Sequence, residues 1–426
     1  MPKVNRRTLL VGGVAVAGAG LALARSADES GPRTPYFKEM QSALKDAGIA
    51  QPTLVIDKAR LNENIDLLVS DLPADMGYRI VSKSLPSVDL LRHIRTRSGS
   101  DRLMTFNQPM LSTLSKEMPD ANQLLGKPLP AQAARNYFSS LTVEDKAALQ
   151  NVQWLVDTPQ RLNEYKAIAD AQGTVLPINI ELDVGLHRGG VKPGDDLATM
   201  LTTIHEAPSL SFAGFMGYEP HLAKVPSILG WQTRARETAL GIYTQALAAA
   251  AAIFGETEIN TVTRNAAGSP TYRMYKNTDV ANEISAGSAL VKPTDFDTEL
   301  LQGFQPAAFI ATPVIKALDT TETAVLEFAD GMRNFMDRNL DQTIFIHGGH
   351  WLAKPEDPPG LRLNKTFGRS SNQEMLNGGA ALDIKADDFV FLRPTQSEAV
   401  FLQFGDIAVY EDGKITGFWP VFPASA

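Results

Sequence analysis

The stretch Tyr78-Arg79-Ile80-Val81-Ser82-Lys83-Ser84 decides how the rest of the chain is read. Apolar and β-favouring residues lead into a lysine, and Ser84-Leu85-Pro86-Ser87 breaks the run before a helical pattern starts at Val88. That is the pattern of a short buried strand whose last residue carries a primary amine to the strand's C-terminal end. In a β/α barrel that end is where chemistry sits, and an amine there can add to a carbonyl group. Taken alone, the stretch has a plainer reading as a surface lysine at a strand terminus.

Outward from this stretch, strand and helix patterns alternate. Strand patterns fall at residues 53–57, 78–83, 103–106, 152–157, 176–184, 210–218, 258–263 and 280–290. Helical periodicity falls between them, at residues 59–68, 88–96, 159–171, 195–206 and 232–254. Residues 107–150 read as polar, proline-containing, and helical or irregular. About eight strands with Lys83 on the second predict an α/β fold, a (β/α)8 barrel near its typical length of ~250 residues. An open doubly wound sheet is the runner-up, but no G-x-G-x-x-G follows the first strand. From about residue 307 short β runs separated by Gly, Asp and Pro predict a C-terminal all-β domain. The expected division is a signal segment and linker over residues 1–30, the barrel over 31–304 and the β domain over 305–426.

Composition narrows the function. The 426 residues are 44% hydrophobic and 21% charged, with a net charge of -8 and both signs spread along the chain. Nucleic acid is therefore not an expected partner. Cysteine is absent, which excludes disulfides, thiolate metal sites and a cysteine nucleophile. Asn5-Arg6-Arg7-Thr8-Leu9-Leu10 and a Gly/Ala-rich apolar run ending in Ala22-Leu23-Ala24 have the parts of a twin-arginine export signal. This predicts a periplasmic protein with no stable membrane insertion after signal removal. A retained anchor is the alternative, for which the run is short and glycine-rich. No second run of membrane-spanning length is read.

If the barrel forms, the residues after each strand face one mouth. They include Lys83, Asn107, Asp157 and residues 183–188, 218–221, 265–272 and 283–288. Gly268-Ser269-Pro270-Thr271 suits an anion such as phosphate, although Gly-Ser-Pro is also an ordinary turn. Arg188 stands in a glycine-punctuated loop, where it can pair with a carboxylate, flank a cofactor ring, or form a loop salt bridge. Tyr218-Glu219-Pro220-His221 offers an aromatic ring and an imidazole that is either a proton carrier or a structural histidine. In the β domain His347-Gly348-Gly349-His350 invites a metal reading but has no nearby acidic pair.

Taken in order, several motifs resemble the fold-type III pyridoxal phosphate enzymes. They are the strand ending at Lys83, Asp183-Val184-Gly185 with Arg188, Gly217-Tyr218-Glu219, Gly268-Ser269-Pro270-Thr271 and Glu283-Ile284-Ser285-Ala286-Gly287-Ser288. Within that class they look like the D-threonine aldolase and D-serine dehydratase group, which has an alanine-racemase-like barrel. The resemblance runs from about residue 52 to about residue 419. It implies that Lys83 carries pyridoxal 5′-phosphate as an internal aldimine, with Arg79 matching the family's Arg-x-x-x-Lys as a cofactor-binding residue. Gly268, Ser269 and Thr271 would bind the phosphate, and Arg188, Tyr218 and His221 would flank or orient the cofactor. A homodimer is implied, the β domain of one subunit completing the barrel mouth of the other.

The aldolase and dehydratase branch also carries a divalent metal on a His-x-Asp or His-x-Cys pair after a proline. The corresponding run here is Arg393-Pro394-Thr395-Gln396-Ser397-Glu398, so Gln396 and Glu398 occupy the ligand positions. Glutamine is a weaker, neutral oxygen ligand than imidazole, which leaves the metal open. The activity implied is a lyase acting on D-3-hydroxy amino acids, by retro-aldol cleavage or by elimination. His347, His350 or Glu398 would then serve as the base. Two alternatives stand beside it. A racemase needs a second base, and the only tyrosine after Lys276 is Tyr410. The other is a non-catalytic protein that binds pyridoxal phosphate.

Overall fold

The computed structural model describes residues 25–142, 145–226, 228–366 and 368–423. The export signal expected over residues 1–24 lies outside the described residues. Two compact units emerge from the chain. One comprises residues 56–307, 396–407 and those from 418 on; the other comprises residues up to 55, 308–395 and 408–417.

The first unit is the expected (β/α)8 barrel. Its strands are β2 (Gly77–Val81), β3 (Arg102–Thr105), β4 (Asn122–Leu125), β5 (Val152–Val156), β6 (Leu176–Leu182), β7 (Leu210–Gly217), β8 (Thr263–Ala266) and β9 (Glu283–Ala286). They pair in parallel and in sequence order, and β9 closes on β2 with Arg79 opposite Ser285. Outer helices start where short polar side chains can cap them. Ser87 accepts from Leu90 N, Asn107 from Met110 N and Thr158 from Arg161 N.

Two expectations about the strands are corrected. Residues 53–57 form β1 (Thr53–Asp57), but β1 joins the sheet of β10 and β16 and is not a barrel strand. The missing barrel strand is β4, inside the segment read as helical or irregular. Its four residues, Asn122-Gln123-Leu124-Leu125, are too few and too polar to show a strand period. Lys83 therefore follows the first barrel strand, not the second. Residues 228–254 also correct a reading, because they are long and apolar enough by composition to cross a membrane. Ala239, Tyr243, Ala246 and Ala250 of the helix Trp231–Phe254 are buried, as on the inner face of a barrel helix.

Barrel interiors are commonly packed with branched aliphatic residues. This one holds a polar network instead. Arg79 is fully buried and meets both oxygens of Glu283, at 2.5 and 2.9 Å. It also donates to Leu103 O and to the backbone and side-chain oxygens of Asn122. Asn265 Nδ2 adds a 2.7 Å bond to Glu283. Burial pushes the Glu283 carboxyl up, but Arg79, Arg102 and Asn265 together hold it below the ordinary glutamate value. Arg79 thus ties β2 to β3, β4 and β9.

The second unit is the β domain. Its remaining strands are β10 (Ala308–Leu318), β11 (Gln342–His347), β12 (Ala353–Asp357), β13 (Arg362–Leu363), β14 (Gln373–Gly378), β15 (Phe389–Pro394), β16 (Ile407–Glu411) and β17 (Lys414–Trp419). They run in the order β13-β14-β11-β10-β1-β16-β17, with β15 pairing β10 and β12. The helix Pro35–Asp46 buries Phe37, Met40, Ala43 and Leu44 in one cluster with Phe309, Phe389, Phe391 and Tyr410.

Candidate active site

The C-terminal ends of the barrel strands open on a cavity of about 600 Å3. Lys83 enters it from the one-turn 3-10 helix after β2. The two neighbouring serines are buried and pinned, Ser82 Oγ to Met104 O at 2.5 Å and Ser84 Oγ to Glu398 Oε1 at 2.7 Å. That anchoring leaves only the lysine free to project. Its Nζ lies 3.9 Å from Glu398 Oε1 and 4.7 Å from the centre of the Phe106 ring. Burial lowers the Lys83 pKa; Glu398 opposes the fall, while Arg188 and Lys127 add to it. The net shift is downward, toward a neutral, nucleophilic amine.

Glu398 comes from the segment 396–407 that returns to the barrel unit. Ser397 Oγ donates to its other oxygen at 3.2 Å. Ser288 Oγ is 3.3 Å from Glu398 Oε1 and 3.1 Å from Ser84 Oγ, and its single proton serves one of them. The carboxylate is therefore oriented by hydroxyls, with the Lys83 amine 3.9 Å from one oxygen.

On another wall the Arg188 guanidinium sits 4.9 Å from the centre of the Tyr218 ring, a cation–π distance. Gly268 makes this wall possible. A Cβ there would meet Tyr218 Cε2 at 2.6 Å. Next to it, Ser269 Oγ accepts from Gly287 N at 3.1 Å and Ala289 N at 3.0 Å, which fixes the oxygen and leaves its proton to donate.

The cavity thus brings together Lys83, Glu398, Arg188, Tyr218, Gly268 and Ser269. Asn107 and Asp157 also line it, whereas Arg79, Thr271, His221, His347 and Gln396 do not. Arg79 shares the inward face of β2 with Val81 but lies one layer below it, inside the barrel network. Thr271 is fully buried behind its loop, donating to Glu219 Oε1 at 2.9 Å and accepting from Gly268 N. His221 stands on the short helix Pro220–Ala223 and does not line the cavity; burial lowers its pKa. His347 ends β11 in the β domain with an exposed side chain, and its carbonyl accepts from Thr312. Gln396 donates to Asp295 Oδ2 at 3.1 Å and does not reach the cavity either. Among the described residues no three His, Asp or Glu side chains gather as a metal set.

Two charged residues on the wall escaped the sequence reading. Lys127 follows β4, the strand that had no legible pattern. Glu181 is a buried charge in the otherwise uncharged strand β6, a signal that was present in the sequence. Burial raises its carboxyl to about 7; Arg188 pulls the other way, and Asp157 and Asp183 reinforce the rise.

A profile of the alanine racemase N-terminal domain matches residues 56–295. The chain belongs to that family. Its members are pyridoxal phosphate enzymes, and the fold-type III resemblance seen in the motifs holds. No curated protein matches the chain in sequence. Among solved structures, D-threonine aldolase from Filomicrobium marinum is similar at 17% identity and a TM-score of 0.67, over 87% of this chain and 95% of that one. A metal-free variant of D-threo-3-hydroxyaspartate dehydratase is similar at 15% identity and a TM-score of 0.69, over 88% and 98%. Alanine racemase of Clostridium difficile 630 in complex with cycloserine is similar at 13% identity and a TM-score of 0.64, over 87% and 98%. At these identities the likeness is one of fold.

The cavity of this alanine racemase family member fits the family's cofactor by its donor chemistry. An aldehyde meets the Lys83 amine, whose pKa burial lowers. Ser269 Oγ, whose proton is left to donate, would hold the phosphate, and the Arg188–Tyr218 pair would offer a flat wall to a planar ring.

Proposed function

We propose that the protein is a pyridoxal phosphate-dependent lyase that breaks down D-3-hydroxy amino acids by retro-aldol cleavage or elimination. The observation that carries this reading is the Glu398 carboxylate, held by serines 3.9 Å from Lys83 Nζ. The bound cofactor supplies the electron withdrawal that lets a bond at the substrate's Cα break. Everything else falls to the chain. Lys83 would hold the cofactor and, once the substrate amine has taken its place there, its freed Nζ would carry protons to and from Cα. Glu398, fixed within reach of that amine, accepts the β-hydroxyl proton as the Cα–Cβ bond breaks and an aldehyde leaves. Lys83 then returns a proton to Cα, giving glycine. In the elimination variant the Lys83 amine would take the Cα proton and pass it through Glu398 to the departing hydroxyl, which leaves as water. Arg188 is placed to pair with the substrate carboxylate, and Phe106, Met110 and Leu402 give the cavity apolar walls that limit water.

The racemase reading needs an acid on the opposite face of Cα, and Tyr410 is packed in the core of the β domain with Tyr36 and Phe309 around it. That packing favours the lyase. A homodimer and export to the periplasm belong to the same proposal. The test is incubation of the cofactor-loaded protein with D-threonine and D-serine, with divalent metal and with chelator. Glycine with acetaldehyde, or pyruvate with ammonia, is the expected product set; the mirror-image amino acid would overturn the lyase. E398Q should keep the near-visible band of bound cofactor and lose about 10²–10⁴-fold in kcat.

A further inference from the structure

Strands β5 and β6 carry two carboxyl groups side by side at the cavity end of the barrel. Their register pairs Val156 with Ile180, so one more step along both strands sets Asp157 beside Glu181. The two-residue alternation puts Glu181 on the inward face with Asn179, and Asp157 on the same face with Gln153. That face is closed below by Asn179 Nδ2, which donates to Gln153 Oε1 at 3.1 Å. Both carboxyl groups line the cavity. Like charges opposite each other on neighbouring strands cost stability, so the pairing calls for a compensating charge.

The loop after β6 turns the two acids onto one spot. Val191 N donates to Glu181 O and Asp183 N to Val191 O, both at 2.9 Å, which folds the loop back on its strand. Glycines permit the approach, since a Cβ at Gly190 would meet Asp183 N at 2.6 Å. A Cβ at Gly189 would stand 3.5 and 3.7 Å from the two Glu181 oxygens and 3.8 Å from Asp157 Oδ2. Three carboxyl oxygens of two residues thus surround a point where glycine puts no side chain. Glu181 is only 7% exposed, and among the described residues neither carboxyl group accepts a hydrogen bond or forms an ion pair. Burial raises the Glu181 carboxyl; Arg188 opposes the rise through space, with its guanidinium over the Tyr218 ring, and Asp157 adds to it. A buried acid in this state gains most from a cation that reaches it directly.

We propose that Asp157 and Glu181 form a subsite for a cationic group on the substrate side chain, so that the enzyme takes 3-hydroxy amino acids with a distal amine. The reaction named here rests on the lyase reading, but the subsite is tested by binding alone. The cofactor-loaded protein is titrated, in the presence of chelator, with D-ornithine and D-lysine and with their uncharged counterparts D-norvaline and D-norleucine. The near-visible band of the bound cofactor reports binding, and none of the four has a 3-hydroxyl to cleave. At least one amine is expected to bind about tenfold or more tightly than its counterpart, a difference of at least ~1.4 kcal/mol. E181Q and D157N, made separately, should each bring that ratio toward one. The ratio is the readout because a general loss of cofactor or packing weakens both members of a pair alike. A ratio near one in wild type, or one that survives both variants, overturns the proposal. So does tighter binding of D-glutamate than of D-norvaline, because Arg188 or Lys127 would then read the side chain. Those results leave the lyase reading standing; it falls instead if 3-hydroxy amino acids give no cleavage or elimination product. A protein that shows no cofactor band overturns both.

Discussion

Glu219 shows how much one buried group can set in this protein. It lies between Tyr218 and the loop after β8, accepting from Thr271 Oγ1 and Ala267 N. Burial nevertheless raises its carboxyl from 4.5 to about 7. In that window the folded chain keeps a proton the unfolded chain has released. Stability from this group is therefore greatest below the unfolded value and falls as pH rises through about 7. Glutamine cannot titrate, so E219Q should lessen the fall in unfolding free energy between about pH 4 and about pH 8 by about 3 kcal/mol. Urea unfolding at both pH values measures it, and equal falls in the two proteins would refute it. Lys83 follows the same physics with opposite sign, since burial there favours the neutral amine.

At the scale of elements, loops carry the chemistry and glycines decide how closely they approach. Gly268 and Gly214 make contrasting predictions. At Gly268 an added methyl meets only the edge of the Tyr218 ring, which can turn aside. G268A should fold and bind pyridoxal phosphate about tenfold more weakly, seen by titrating the near-visible absorbance. Gly214 sits in β7 at φ +136, where a Cβ would stand 1.8 Å from Thr263 O in β8. G214A should lose about 3 kcal/mol or more, or fail to fold, because backbone on both sides of the clash must move. A stable G214A would show that β7 and β8 do not pair as described.

For the molecule as a whole, cofactor binding adds to the stability of the barrel unit, which contains the cavity. At a pyridoxal phosphate concentration about 100 times its Kd the gain is ~2.7 kcal/mol. For a unit of this size that amounts to several degrees in Tm. Trp154 is buried in the barrel, so its fluorescence follows that transition. K83A should lose most of the shift. A wild-type Tm indifferent to the cofactor would detach the cavity from the cofactor.

The sequence by itself determined the α/β barrel, the β domain that follows it in the chain and the amine at the end of a strand, because periodicity and turn residues are local properties. It also placed Arg188, Tyr218 and the Gly268-Ser269 loop in one set by their order along the chain. Tertiary structure decided the rest. A strand pattern does not name its partner, so β1 was read into the barrel although it pairs in the other sheet. Four residues with two amides gave no period, so β4 and Lys127 after it went unseen. Arg79 and Thr271 matched their motifs, yet a step along the pleat puts one inside the barrel, and the turn of a loop puts the other behind the wall. Lys83 reaches the cavity because the serines on either side of it are tied down by Met104 and Glu398, one of them 314 residues along the chain from its partner. No local pattern encodes that contact; only folding brings the two together.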